Sequence, residues 1–372
     1  MNHSADETRA SLANNLRYFI KWSLIALLIG GTGGLIGSLF SMGVSFATSF
    51  RMNHPNMLFF LPVSGILIVW LYHTFHEEGN RGTNMVIDAI SSTEKVTLAT
   101  GPLIFVSTVL THIAGGSSGR EGAALQLGGS LGNLFGNAIH LDEKDKKIAI
   151  MCGMSAVFSA LFGTPVAAAI FPLEVISIGV LYYAALVPCI FSSFIGVGIA
   201  RYLGIAGEHF TVLSIPAISV SSVGWIIFLS ALCAGVSIVF CLMLHGAEHT
   251  YRKIFPNPYV RILAASAIFI LLTLLIGTRD YCGSSMPLIE RSMEGEIGYE
   301  AFFLKMLFTA IALGAGFKGG EIVPTLCVGA AFGCAFGQIT GFAPSLCAAC
   351  SMAALFAGVT NCPISSLVIA LE

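Results

Sequence analysis

Charge is what this chain has least of. Of 372 residues, 18 are Lys or Arg and 20 are Asp or Glu, 10% together, where a soluble domain carries about 25%. That deficit excludes an ordinary soluble domain. The net charge of −2 gives nucleic acid no basic surface to bind. Strand-type alternation is missing too: the apolar runs are long and continuous, which excludes a β-barrel. Ten cysteines are present, but no His/Cys group has metal spacing, so neither a metal nor a cofactor is expected. Cys347-Ala-Ala-Cys350 has the CxxC form yet lies inside an apolar run, and it reads as small packing residues. A signal peptide is absent as well: Met1–Ala13 is polar and of mixed charge, and no small-residue cleavage site follows a short apolar core.

What is abundant is apolar sequence, at a mean hydropathy of +0.84, and glycine, at 41 residues. Together they predict an all-α polytopic membrane protein whose helices pack closely and are in places broken, with the lipid bilayer as its surroundings. Residues 1–16 read as a cytoplasmic tail, and 17–372 as one transmembrane domain. The Lys- and Arg-bearing segments (the tail, 141–147, and Tyr251–Phe255 with Arg261) lean cytoplasmic, whereas 278–300 is net acidic and leans to the other side. Residues 141–147 are the most charged segment and read as a loop. The last run stops at Glu372 without a polar flank, so a further C-terminal segment is expected.

Within this background Gly116–Leu127 stands out. A glycine-rich approach delivers the pair Arg120-Glu121 to the start of an apolar segment, and charge placed there is costly. The segment reaching Ala138 is short and studded with glycine, so a broken or partly inserted helix is expected. The stretch has a counterpart. Gly116–Glu121 aligns with Gly316–Glu321, 200 residues on, and Phe158–Pro165 aligns with Phe356–Pro363 at nearly the same offset. Each of these prolines is followed nine residues later by a glutamate, Glu174 or Glu372. Two repeats, about 17–205 and 215–372, follow, with a binding site expected between them.

Three breakpoints share one design: Gly82-Thr83-Asn84, Gly119-Arg120-Glu121-Gly122, and Gly319-Gly320-Glu321-Ile322-Val323-Pro324. In each, a flexible turn opens a helix. A helix start presents unpaired N–H groups and about half a positive charge, so several converging starts can cradle a dehydrated anion. Partial charges hold such an ion more loosely than a full cation would, and the Thr83 hydroxyl adds a donor. Glu121 would act there as a carboxylate that occupies the site when ionised and leaves it when protonated, linking anions to protons. The alternative, a structural pairing with Arg120, is disfavoured because neighbours along a helix do not face each other. Both Glu121 and Glu321 are expected to exchange protons.

Gly119-Arg-Glu-Gly122 followed by Gln126-x-Gly128 resembles the signature of the CLC family of anion channels and proton-coupled anion antiporters. Gly82–Val86, Gly316–Pro324 and Phe162-Gly-Thr-Pro165 through Glu174 resemble that family's other helix-start motifs, in family order. The resemblance implies a CLC-like inverted-repeat architecture with broken and tilted helices. It also implies a homodimer with one pore per subunit, in a bacterial plasma membrane. It gives Glu121 the position of the external gating glutamate, and Thr83 that of an anion-coordinating serine. The backbone amides of Glu321 and Ile322 would face a central anion, those of Arg120 to Gly122 an outer one. Three departures matter. Ala123 stands where chloride-type members have proline. Val175 occupies the place of the internal proton glutamate. Glu321 is similar to the fluoride-exporting branch, in which that glutamate is linked to proton movement, although Thr83 and Val323 replace that branch's methionine and threonine. The pore tyrosine of the family would lie beyond Glu372.

The implied function is transport of chloride or fluoride with protons; a passive chloride channel is the alternative. From another class, Gly115-Gly-Ser117-Ser-Gly119 has the G-x-S-x-G form of a serine hydrolase, but without the strand–turn–helix setting that gives the form meaning. An organic-anion transporter would need more aromatic or basic pore groups than three tryptophans and Lys318 provide.

Overall fold

The computed structural model describes residues 2–80, 82–91, 96–176 and 181–372, with side chains from Leu16 onward except that of Ser91. Among the described residues the architecture is helical, with one isolated antiparallel bridge, Gly119 to Gly320. The first helix, α1 (Asn2–Asn53), carries the polar N-terminal stretch and the first apolar run as one helix; α2 (Leu61–Thr74) and the short α3 (Thr83–Ser91) follow. Then come α4 (Thr100–Ala114), α5 (Glu121–Ala138), α6 (Glu143–Phe162), α7 (Pro165–Glu174) and α8 (Leu186–Tyr202). The remaining elements are α9 (Val220–Ile254), α10 (Pro258–Ile276), α11 (Met286–Glu294), α12 (Ala301–Ala315), α13 (Ile322–Thr340), α14 (Pro344–Thr360) and α15 (Pro363–Leu371). Among the described residues, six helical segments are long and apolar enough to cross a membrane.

The segment 141–147 is not a loop. Asp142 caps α6, its side chain accepting from the Asp145 amide at 2.8 Å, and the charged residues form the first turns. Acidic residues at a helix start favour this, because they answer the exposed N–H groups and the helix dipole. Lys21 of α1 pairs with Asp145 from outside. The stretch after Glu121 is likewise unbroken: α5 runs through 18 residues, buried continuously from Glu121 to Gly132. The break lies before it, in the turn at 115–120.

The series α4–α5–α6–α7 has a counterpart in α12–α13–α14–α15. In the first, α5 lies against α6 so closely that a Cβ added at Gly128 would stand 2.3 Å from the Gly153 carbonyl oxygen; in the second, a Cβ at Gly329 would stand 2.6 Å from that of Ser351. Small residues let two helix backbones meet in this way when no hydrophobic effect drives them together. The helices α5, α6 and α13 are thereby buried at the centre. The outer surface is apolar, with Phe46, Trp70, Phe194 and Leu242 among its exposed side chains. Such an inside-out distribution suits contact with lipid tails.

Candidate functional site: a junction of three helix starts

The starts of α3, α5 and α13 meet at the bridge between the two glycine turns. Gly119 N–H donates to Gly320 O at 2.6 Å, and Gly320 N–H to Gly119 O at 2.8 Å. The Thr83 hydroxyl donates to Gly122 O at 3.3 Å. Glycine is required here by proximity. A Cβ at Gly320 would lie 2.4 Å from the Gly122 nitrogen, one at Gly122 would lie 2.8 Å from Thr83 Oγ1, and one at Gly319 would lie 2.5 Å from Ser118 Oγ. Pro324, in the first turn of α13, closes on Gly119, with its Cδ 3.0 Å from that residue's would-be Cβ. Gly82 takes a left-handed φ of +68° just before α3 begins, and Asn80 Oδ1 accepts its amide hydrogen at 2.8 Å.

Glu121 sits inside this junction and is fully buried. Its Oε2 accepts from the Val323 amide at 3.3 Å, at the positive start of α13. Its Oε1 lies 3.6 Å from Arg120 Nε and has no hydrogen-bond partner among the described residues. The pairing with Arg120 disfavoured from helix spacing is therefore present. Arg120 is the residue before the helix rather than a member of it, so the spacing rule does not govern its side chain. Arg120 also donates from Nη2 to Glu208 Oε1 at 2.7 Å.

The amide on the Glu121 carboxylate is that of Val323, next to Ile322 in the first turn of α13. Glu321 immediately precedes α13, and its carbonyl accepts from the Thr325 amide at 2.9 Å and hydroxyl at 2.7 Å. His245 and Cys241 of α9 lie within electrostatic range of its carboxylate. Thr83, Gly119, Arg120, Glu121, Gly122, Gly319, Gly320 and Pro324 are brought together.

Two polar features escaped the sequence reading. Lys305, the single charge within α12, is fully buried. Its ammonium donates to Ser117 Oγ, Gly283 O and Ser285 Oγ, each at 2.8 Å, and to Tyr281 O at 3.4 Å. An isolated lysine inside an apolar run was the available signal. Glu208, the carboxylate on Arg120, lies in the irregular segment between α8 and α9. Ser117 is fully buried, held by Lys305 and by Thr309 Oγ1 at 2.9 Å. His112 points elsewhere, with Nδ1 at 2.9 Å from Thr108 O. Among the described residues, Ser117 has no histidine partner and is closed off from solvent.

The model of the family described as voltage gated chloride channel matches residues 64–372. The chain belongs to the CLC family. A crystal structure of a CLC-type fluoride/proton antiporter superposes with a TM-score of 0.90 at 30% identity, over 95% of this chain and 90% of that one. The chloride/fluoride channel protein of Pseudomonas syringae pv. tomato is 29% identical over 364 residues, covering 96% of this chain and 80% of the relative. The H(+)/Cl(−) exchange transporter ClcA of Vibrio cholerae is 24% identical over 379 residues, 94% of this chain and 81% of that one. As a CLC protein with six helices able to span a bilayer, the chain is an integral membrane protein. In CLC terms, the Gly-Arg-Glu-Gly signature and the second glycine turn form the bridge, with Glu121 between them.

Proposed function

We propose that this CLC protein exchanges a halide, chloride or fluoride, for protons, and that Glu121 is its gate. The observation that carries the proposal is the fully buried Glu121 carboxylate resting on the Val323 amide. An anion crossing the junction needs that same donor. Ionised, Glu121 holds the place of the ion; protonated, it loses the attraction of the α13 start and of Arg120, and yields. One group thereby ties anion passage to proton uptake. Glu321, with His245 near its carboxylate, supports a second proton station, in keeping with Val175 standing where other members carry a glutamate. The likeness to a fluoride/proton antiporter and the presence of Glu321 favour fluoride. We place the protein in a bacterial plasma membrane as a homodimer of subunits, each with its own pore and each made of two repeats.

Reconstitution in liposomes tests this reading. An imposed anion gradient should drive proton movement in the opposite sense, with chloride and fluoride compared at equal concentration. Anion flux that moves no protons would establish the passive channel instead.

A further inference from the structure

Residues 205–219 link α8 to α9 without regular structure and lie over the gate. The segment rests on both halves of the molecule. A Cβ at Gly163, in the α6–α7 turn, would stand 2.8 Å from the Gly207 Cα, and Leu213 N–H donates to Ser345 Oγ of α14 at 3.0 Å. Beneath it is a cavity of about 320 Å³ lined by Arg120, Glu208, Phe210, Val323 and Leu326, among others. The cavity therefore reaches both the amide-bearing residue and the arginine that contact Glu121. Its other charged or titratable neighbours are His209 and Glu372, and Glu372 is engaged by the Val166 and Ala167 amides at 2.9 and 2.7 Å.

Arg120 is the cation at the inner end of this cavity, and Glu208 covers it. The Glu208–Arg120 bond is 2.7 Å, shorter than the 3.6 Å separation of Arg120 from Glu121. A single guanidinium is thus shared by two carboxylates, one buried and one a third exposed. We propose that Arg120 and this cavity form an antechamber for the halide, and that Glu208 is a positioning residue that competes with the incoming ion for the guanidinium. Resting on the halide-transport reading above, this adds a carboxylate on the mobile ion's approach that acts through charge alone. When Glu208 stays on Arg120, the cation is neutralised and the cavity attracts anions weakly. When an anion displaces it, the ion stands beside the Val323 amide that Glu121 holds. Glu208 thereby sets how much halide is needed at this face without taking part in the proton step.

The test is halide flux through the full chain in liposomes, for wild type, Glu208→Gln and Glu208→Asp, with halide varied on each side in turn. In Glu208→Gln the half-saturating halide concentration should fall about threefold on one side only, a size set by the partial exposure of the pair. The proton-to-anion ratio should stay as in wild type, and Glu208→Asp should restore the wild-type half-saturation. Unchanged half-saturation on both sides, or a fall in maximal rate and thermal stability alone, overturns the proposal and leaves Glu208 a loop fastener. A wild type that moves no halide overturns the transport reading itself, so the two failures are distinguishable.

Discussion

Glu174 and Glu372 hold each other's helices. The carboxylate of Glu174, at the end of α7, accepts from the amides of Ile364 and Ser365 at the start of α15, at 2.9 and 2.8 Å, and from the Ser365 hydroxyl at 2.6 Å. The carboxylate of Glu372, just past the end of α15, accepts from the Val166 and Ala167 amides at the start of α7. Each helix thus carries the acid that caps the other, an exchange that a two-fold relation between repeats produces without further design. A carboxylate at a helix start satisfies orphan N–H groups and faces the positive end of the dipole.

The two caps differ in burial, and that sets their weight. Glu174 is 6% exposed and makes three bonds; Glu372 is exposed and makes two. Glu174→Gln should cost about 1–3 kcal/mol, the range for buried hydrogen bonds to a charged group. Glu372→Gln should cost about 0.5–1 kcal/mol, since solvent replaces part of what is lost. Apparent melting temperatures in detergent would rank the two; an equal effect would mean that burial does not govern these caps.

The junction should not tolerate a methyl group. A Cβ at Gly320 would stand 2.4 Å from the Gly122 nitrogen, with backbone rather than a flexible side chain in the way. Gly320→Ala should therefore separate the two glycine turns, costing about 1–3 kcal/mol as an overpacked site does, and should reduce transport more than stability. An Ala substitution at Gly224, which faces nothing within 4 Å, is the matched control. Equal transport by the two variants would show that the close approach is unnecessary.

Much of this was legible from glycine and charge alone. The motifs at 82, 119 and 319 mark real helix starts, because only glycine suits both the turns and the close backbone approach that follows. The paired Pro-to-Glu spacing pointed to α7 and α15, although not to the exchange of caps, since nothing in a sequence says which amides a distant carboxylate will reach. The Arg120–Glu121 contact was misjudged because helix spacing was applied to a residue lying just outside the helix. The loop expected at 141–147 became a helix start for the same local reason: whether a charged cluster opens a helix or bridges two depends on a cap, here Asp142. That His245 and Cys241 come near Glu321 depends on the packing of α9 near α13, a contact between distant segments with no local signature.

Lys305 is the buried cation on which the turns at 117 and 281–285 converge. Its four acceptors come from Ser117, before the gate, and from the segment 281–285. Lys305→Met keeps the length and removes the donor, leaving those oxygens without it. A loss of about 2–4 kcal/mol is expected, because stranded buried acceptors keep their desolvation cost. Thermal unfolding in detergent measures it. A variant as stable as wild type would mean that water reaches these oxygens and replaces the ammonium.

Glu121→Gln separates the two roles proposed for Glu121. The amide is nearly the same size, and its oxygen can still accept from Val323 N–H, so the junction should fold as before. What disappears is the charge, and with it the exchange of a proton. Without the negative charge, the side chain competes poorly for the α13 start, and an anion can displace it without waiting for protonation. Proton flux should fall below about a tenth of wild type, as expected when an acid–base group is removed, while anion flux persists or rises. Glu321→Gln gives the needed contrast: it retains the gate carboxylate, so any loss of proton flux there reports the second station, toward His245, rather than the gate. Both fluxes can be followed in the same liposomes, with an anion electrode and a pH electrode. Proton coupling that survived in Glu121→Gln would remove Glu121 from the proton path and reduce its contact with Val323 to a cap.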